Sequence, residues 1–362
     1  MTNSKPSNQS PKPHPDLIRA VLANGIPLLD VRAESEFAQG SIPNSTNLPI
    51  LNDQERTRVG TTYKQQGSAA AERVGQRLVH GQIRTDRTSA WANFCKAHTH
   101  AYLTCWRGGR RSEIAQSWLS ESGIEIDRIP GGYKSMRQAC LATLANENAE
   151  KDWLVLAGKT GTAKTVVINQ VTGSIDLEGI ANHRGSAFGA RATPQPTPAT
   201  FENQLAAEFL RHNQDSLLVE DESRTIGRLA LPESWHTTMQ AAPVVLIETS
   251  LEFRSQHIKR EYVTEPMREG VSAATLKTQY LDALNRINRR LGGFNYKVIA
   301  ELLSDAFAGR RDHGEWIAQL LEKYYDPMYQ FQLKNKHKRV VMKGDHSAVL
   351  DYLSDRGHGG VL

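Results

Sequence analysis

The chain has 362 residues, 39% of them apolar, enough for two domains with cores of their own. Its net charge of +5 suits a polyanionic partner such as nucleic acid. No stretch reaches the ~20 apolar residues of a membrane span, and Cys95, Cys105 and Cys140 lack CxxC spacing, which argues against a zinc site or disulfide framework and for a reducing cytoplasm.

Residues 1–14 are polar and proline-rich, lack the apolar core of a signal peptide, and are expected to be a disordered tail. From Asp16 a helical stretch (Leu17, Ile18, Val21, Leu22) meets Gly25, and Ile26 to Arg32 reads as a buried strand. A second strand, Ala101 to Thr104, runs into Cys105-Trp106-Arg107-Gly108-Gly109-Arg110-Arg111-Ser112, after which Ile114, Ala115, Trp118 and Leu119 recur at helical spacing. Ile124 to Ile129 alternates before Pro130-Gly131-Gly132, and the polar Asn146 to Lys151 marks a domain boundary, giving domains at 15–145 and 150–362.

A cysteine at a strand end, in a glycine-rich loop opening a helix, sits where anions are stabilised. Arg107, Arg110 and Arg111 add positive charge, so Cys105 is expected to ionise readily and to act as the nucleophile that accepts sulfur or selenium. Cys95 and Cys140 lack such surroundings and are read as structural. Asp30-Val31-Arg32, Glu36-Phe37, Gly40-Ser41-Ile42-Pro43 and Asn47-Leu48-Pro49, followed by the cysteine loop, resemble a rhodanese domain over about the first 140 residues. The resemblance implies that Cys105 carries the chalcogen and that Asp30 and Arg32 hold the fold together.

In the second half, Trp153 to Ala157 is a short buried-strand signal feeding Gly158-Lys159-Thr160-Gly161-Thr162-Ala163-Lys164-Thr165, with a helix expected from Lys164. The loop has the GxxxxGK[ST] form except for Ala163 at the second glycine. Gly158, Gly161, Thr162 and Ala163 would supply backbone, Lys164 would neutralise a diphosphate, and Thr165 would reach a phosphate or Mg²⁺. Strands at Ser216 to Val219 and Val244 to Ile247 end in Glu220 and Glu248, as parallel sheets do at a working edge. Secondary candidates are Asp176, Glu178, His183 (as a general base), Arg184 and Ser186 in one glycine-bounded loop, with Glu220 and Asp221 after the later strand. Charged loops of this kind are equally explained as solvated surface. Pro194 to Pro198 reads as a stiff loop, and Ala273 to Tyr325 as mostly helical, with Leu276, Tyr280, Leu284, Ile287 and Leu291 on one face. The expected fold is thus a rhodanese-like α/β domain followed by a P-loop, parallel-sheet α/β domain with a helical C-terminal part at about 270–330 and a basic C-terminal segment. In that segment Lys334, Lys336, Lys338 and Arg339 follow an aromatic stretch, either as a nucleic-acid-binding run or as a solvated basic face.

The ordered pair of domains, with Asp176 to Ser186, Val219 to Gly227, Tyr324-Tyr325-Asp326-Pro327-Met328-Tyr329 and Gly131-Gly132-Tyr133-Lys134, resembles the tRNA 2-selenouridine synthase family over nearly the whole chain. That resemblance implies a cytoplasmic transferase without a tightly bound cofactor or metal centre. Its macromolecular partner would be tRNA carrying 2-thiouridine at the wobble position, of the Lys, Glu and Gln type. The sulfur would be geranylated from geranyl diphosphate at the P-loop and then replaced by selenium from selenophosphate, with a selenophosphate-supplying enzyme as a further partner. An ATP-dependent tRNA sulfurtransferase or a P-loop kinase with a rhodanese sulfur carrier is the alternative, and oligomeric state is left open.

Overall fold

Two parallel sheets organise the chain, whose computed structural model describes residues 15–147, 150–212 and 214–360; the tail expected at 1–14 lies outside the described residues. The chain divides into one unit of residues up to Asn146 together with Thr197–His212, and a second of Glu147–Pro196 with Asn213–Leu362.

In the first unit β1 (Leu28–Asp30), β2 (Ser45–Asn47), β3 (Tyr102–Thr104) and β4 (Asp127–Arg128) form a sheet in the order β2-β1-β3-β4. All three pairings are parallel. Strands this short are held mainly by what packs on them: Leu29, Val31 and Leu103 bury against Trp91, Ala115 and Leu119. Asp30 and Arg32 form a fully buried pair in which the guanidinium donates to Asp30 Oδ2 at 2.8 Å and to the carbonyls of Gly40 and Glu36. Its remaining face lies 3.9 Å from the Tyr133 ring centroid, so Arg32 is spent on structure.

Three helices lie between β2 and β3: Asp53–Gln66 and Gly81–Ala97 carry no clear apolar stripe, whereas Ser68–Leu78 has one of Ala70, Ala71, Val74 and Leu78. The first buries no residue fully and is set instead by a capping box, Asn52 accepting from Glu55 N and Glu55 from Asn52 N, both at 2.9 Å. The helix Pro198–Arg211 also belongs to this unit, although the sequence pattern assigns all of 150–362 to the second domain. The proline-rich segment there ends in a helix start, with Thr197 as N-cap and Pro198 in the first turn. Its buried face of Phe201, Leu205, Ala206 and Phe209, together with Asn203 bonded to Arg137 and to Ser41 O, fixes it on the first unit.

In the second unit β5 (Asp152–Gly158), β6 (Ser174–Ile175) and β7 (Ser216–Glu220) precede a small antiparallel pair, β8 (Thr225–Ile226) and β9 (Leu229–Ala230). With β10 (Val244–Ile247) and β11 (Val340–Gly344) the first three build a parallel sheet ordered β11-β10-β5-β7-β6. β5 is central and buried on both faces, as its unbroken apolar run requires. The helix Ala273–Leu291 buries the expected face, Leu276, Tyr280, Leu284, Ile287 and Leu291, against Ile299, Leu303 and Trp316. Two five-residue π-turns interrupt this helical region, Arg260–Thr264 and Leu321–Tyr325. Among the described residues no helix is long and apolar enough to cross a membrane.

Candidate active site

Cys105 follows β3 directly, 3% exposed, and its thiol donates to Ser112 Oγ at 3.3 Å while Ser112 donates to Gly109 O at 2.9 Å. The loop is clamped from the other side: Tyr133 N donates to Cys105 O, Lys134 N to Trp106 O, and Arg128 to Gly108 O, at 2.9 to 3.0 Å. Gly108 and Gly132 both have positive φ, and a Cβ on Gly132 would meet Cys105 O at 2.2 Å, so two backbones touch where only glycine fits. Trp106 packs on Tyr133, ring centroids 5.4 Å apart.

The arginines of this loop differ in use. Arg111 pairs with Glu36, and Arg110 with Glu72 and Glu113, whereas Arg107 is exposed and makes no ion pair among the described residues. Burial pushes the Glu36 carboxyl up, but Arg111, joined by Arg56 and the Ala33 amide, outweighs it and holds the carboxyl below the usual range. Arg107 is therefore the arginine of this loop whose charge is not already paired. Burial pushes the Cys140 thiol up to about 12 and that of Cys95 upward, which suits inert core cysteines.

The second centre lies at the carboxyl end of β5, which pairs with β10 on one side and β7 on the other, the switch point where parallel sheets bind ligands. Gly161 turns with φ +87° and Ala163 occupies the left-handed region at φ +58°, a conformation strained for any residue with a Cβ. A Cβ on Gly158 would meet Thr162 Oγ1 at 2.4 Å, and the Thr162 hydroxyl is turned back onto Lys159 O. The helix Lys164–Ile168 follows, with Lys164 Nζ 3.4 Å from Gly158 O and Thr165 Oγ1 donating to Glu220 at 2.7 Å.

A polar cavity of about 170 Å³ opens here, lined by Gly158, Gly161, Ala163, Lys164 and Thr165, by Glu178, Arg184 and Ser186, and by Asp221 and Glu222. Burial, then the neighbouring carboxyls, raises Glu178 and Glu220, and burial likewise raises Glu222 against the pull of Lys164. Glu220 sits fully buried behind the cavity, accepting from Thr165 and from Glu178 N. Arg184 donates to Glu261 O and stacks over Tyr262 at 4.7 Å, and Ser186 Oγ lies 3.3 Å from the Tyr262 hydroxyl. Four sequence candidates do not line the cavity: Thr162, Glu220, Asp176 and His183. Asp176 caps the helix Leu177–Ala181, accepting from Gly179 N at 2.6 Å, and His183 bridges to Ala190, its imidazole pushed toward neutrality by burial and then by Arg191 and Arg184.

The basic run is not a uniform surface. Lys336 Nζ binds both oxygens of Asp221, and Arg339 donates to the carbonyls of Met239 and Ala242, so both are committed inside the unit. Lys334 and Lys338 are exposed, and Phe331, one turn before Lys334, is 70% exposed. The run then leads into β11, an element that the apolar pattern of the sequence does not reveal.

Other residues at this centre escape the sequence pattern. Glu222 shares an acidic stretch with Glu220 and Asp221, and nothing in its spacing marks it as a cavity residue; Tyr325, Asp326 and Tyr329 lie in a motif of the family resemblance that names no role for them. Glu261 and Tyr262 leave no signal, because a π-turn inside a helix alters which residues face a cavity without altering composition. Asp326 accepts from Arg254 at 2.6 and 2.9 Å and from Lys159 at 3.3 Å, tying the phosphate loop to the helix Asp326–Lys336.

Two family models match the chain: one described as the tRNA 2-selenouridine synthase AAA domain over residues 151–359, and one described as the rhodanese-like domain over residues 14–139. A tRNA 2-selenouridine synthase of Pseudomonas fluorescens is 44% identical over 353 residues, covering 93% of this chain and 97% of its own. Those of Shewanella oneidensis and Azotobacter vinelandii are 43% and 44% identical, each covering 93% of this chain and 94% and 95% of theirs.

Proposed function

The chain belongs to the tRNA 2-selenouridine synthase family, and we propose that it converts 2-thiouridine at the wobble position of tRNA to 2-selenouridine in two steps, one at each loop. In the first, the thiouridine sulfur attacks C1 of geranyl diphosphate; the C–S bond forms, the C–O bond breaks, diphosphate leaves with the electron pair, and the base gives up its N–H proton. In the second, selenium from selenophosphate bonds to C2 of the base, geranylthiol leaves, and water cleaves the P–Se bond to give phosphate.

The observation that carries this reading is the cavity at the end of β5, where Lys164, Thr165 and the loop backbone face tyrosines and Ile258. Cations and amides fixed where a leaving diphosphate gains charge stabilise the transition state more than the substrate. Thr165 with Glu220 and Glu178 forms a hard-oxygen set suited to Mg²⁺, although among the described residues no three carboxylate or imidazole groups converge into a cage. An ion arriving with the diphosphate would be held by Thr165 and Glu220 and would neutralise the leaving group. Cys105, two residues before the exposed Arg107, would position the selenophosphate anion so that its selenium reaches C2 of the base. Lys334, Lys338 and Phe331 would supply phosphate contacts and a ring for stacking on tRNA. The setting is the cytoplasm, the tRNAs are those of the Lys, Glu and Gln type, and selenophosphate comes from a separate synthesising enzyme.

The test is nucleoside mass spectrometry of 2-thiouridine tRNA incubated with the protein and geranyl diphosphate, then selenophosphate. The reading expects a geranylated nucleoside that Lys164→Ala abolishes, followed by selenouridine that Cys105→Ala abolishes. Modification that instead requires ATP and a sulfur donor would replace it with the sulfurtransferase alternative.

A further inference from the structure

The phosphate cavity does not end at its polar rim. Five of its lining residues, Thr160, Ser186, Ile258, Tyr262 and Tyr325, also line an apolar slot bounded otherwise by Phe188, Trp316, Ile317, Leu320 and Leu321 of the helical core. The slot holds about 20 Å³, room for one methyl-sized group, against about 170 Å³ in the cavity it continues.

Two observations distinguish the shared wall from ordinary core. Tyr262 and Tyr325 each belong to a π-turn, a device concentrated at functional sites. Tyr325 is only 7% exposed, and its hydroxyl, close to Ser186 but outside hydrogen-bond geometry, has no partner. Buried hydroxyls are normally matched, and the oxygen that joins a diphosphate to its hydrocarbon is a ligand atom able to match this one.

Building on the diphosphate reading above, we infer that the slot receives the hydrocarbon end of a short-chain allylic diphosphate. The phosphates lie on Lys164 and Thr165, the first isoprene unit lies along Ile258, Tyr262 and Tyr325, and the chain tip enters among Ile317, Leu320 and Trp316. As the C–O bond breaks, the carbon end gains positive charge, which aromatic faces attract, and an apolar wall keeps water from capturing it before sulfur does. The rings of Phe188 and Trp316, centroids 6.4 Å apart, close the slot and select short chains over long ones. A larger apolar cavity in the first unit, about 180 Å³, offers no comparable headgroup site, because Arg110 and Arg111 on its wall are already paired with Glu72 and Glu36.

The experiment is calorimetric binding of inorganic diphosphate and of dimethylallyl, geranyl and farnesyl diphosphates to the full chain and to Leu320→Phe and Leu320→Ala. The wild type should prefer the geranyl compound; Leu320→Phe should weaken it about tenfold while inorganic diphosphate changes by less than about twofold. Leu320→Ala should move the preference toward farnesyl diphosphate, an outcome that carries the test if the larger side chain prevents folding. Variants that bind inorganic diphosphate normally and keep the wild-type chain-length preference would overturn the slot alone. A wild type that binds geranyl diphosphate no better than inorganic diphosphate would overturn the prenyl-diphosphate reading beneath it.

Discussion

Lys336 Nζ stands 2.6 Å from each carboxylate oxygen of Asp221, joining the end of the helix Asp326–Lys336 to the loop after β7. Both side chains are largely buried, so removing one leaves the other charge stranded. Lys336→Ala should therefore cost about 2–3 kcal/mol of stability. Lys334 and Lys338 are exposed and free of such duty. The double change to alanine at these two should leave the melting temperature alone, weaken tRNA binding, and reduce the slope of log K against log salt by about 0.7 to 0.9 for each phosphate no longer neutralised. Melting curves and salt-series binding check this; a thermally normal Lys336→Ala with a reduced salt slope would place Lys336 on the tRNA instead.

The buried carboxyls of the phosphate cavity make stability depend on pH in a definite direction. Burial raises Glu222 from the ordinary 4.5 to about 7, so the folded protein keeps a proton there that the unfolded chain has released. Its stabilising contribution is complete below about pH 4.5 and is lost as pH rises through about 7. Glu222→Gln removes that titration. The fall in stability between about pH 5 and pH 8 should be smaller in the variant by on the order of 2 kcal/mol, read from denaturant melts at both values. An identical fall in both proteins would mean that Glu222 is ionised throughout.

The strands that feed the two loops were legible in the sequence because each is a short apolar run ending at a glycine-rich loop, as at Leu103 before Cys105 and Ala157 before Gly158, whereas the polar or very short β2, β6 and β11 give no such run. The helix Asp53–Gln66 was not legible either, since polar residues and a cap at Asn52 set it, not an apolar stripe. The crossing of Pro198–Arg211 to the first unit was hidden for another reason. Its buried face reads identically whichever core it joins, and what decides the matter is long-range: Arg137 with Glu202 and Asn203, and Ser41 with Asn203 and Thr200. At the sites, residue type was legible and pairing was not: three arginines flank Cys105 in sequence, yet the carboxylates of Glu36 and Glu72 engage two of them.

Arg254 is 2% exposed, and its guanidinium meets both Asp326 oxygens at 2.6 and 2.9 Å. Asp326 also receives Lys159 of the phosphate loop, and its carboxyl stays below the usual range because these cations outweigh burial. Arg254→Met leaves Asp326 with the half-exposed Lys159 alone, a loss of about 3 kcal/mol for a broken buried pair. Inorganic diphosphate should then bind more weakly, because the loop loses its anchor to the helix. Adding Asp326→Leu should recover stability but not diphosphate affinity, as calorimetry and melting can show separately. Recovery of both would make the pair a packing element without influence on the loop.

The close approach of the thiol loop to the Gly131-Gly132 turn sets the most stringent geometric demand in the first unit. A Cβ on Gly108 would come within 2.6 Å of Ile129 O, and one on Gly132 within 2.4 Å of Gly108 N, with backbone atoms that cannot swing aside. Both residues also hold φ near +60°, which adds about 1 kcal/mol of strain for alanine. Gly108→Ala and Gly132→Ala should each cost more than about 2 kcal/mol and displace Cys105, whose carbonyl accepts from Tyr133 N. Selenium incorporation should fall at least about tenfold while geranylation and diphosphate binding, carried by the other unit, stay near wild type. Nucleoside analysis of both products from each variant checks this, and equal loss of the two would mean that the thiol loop also serves the first step.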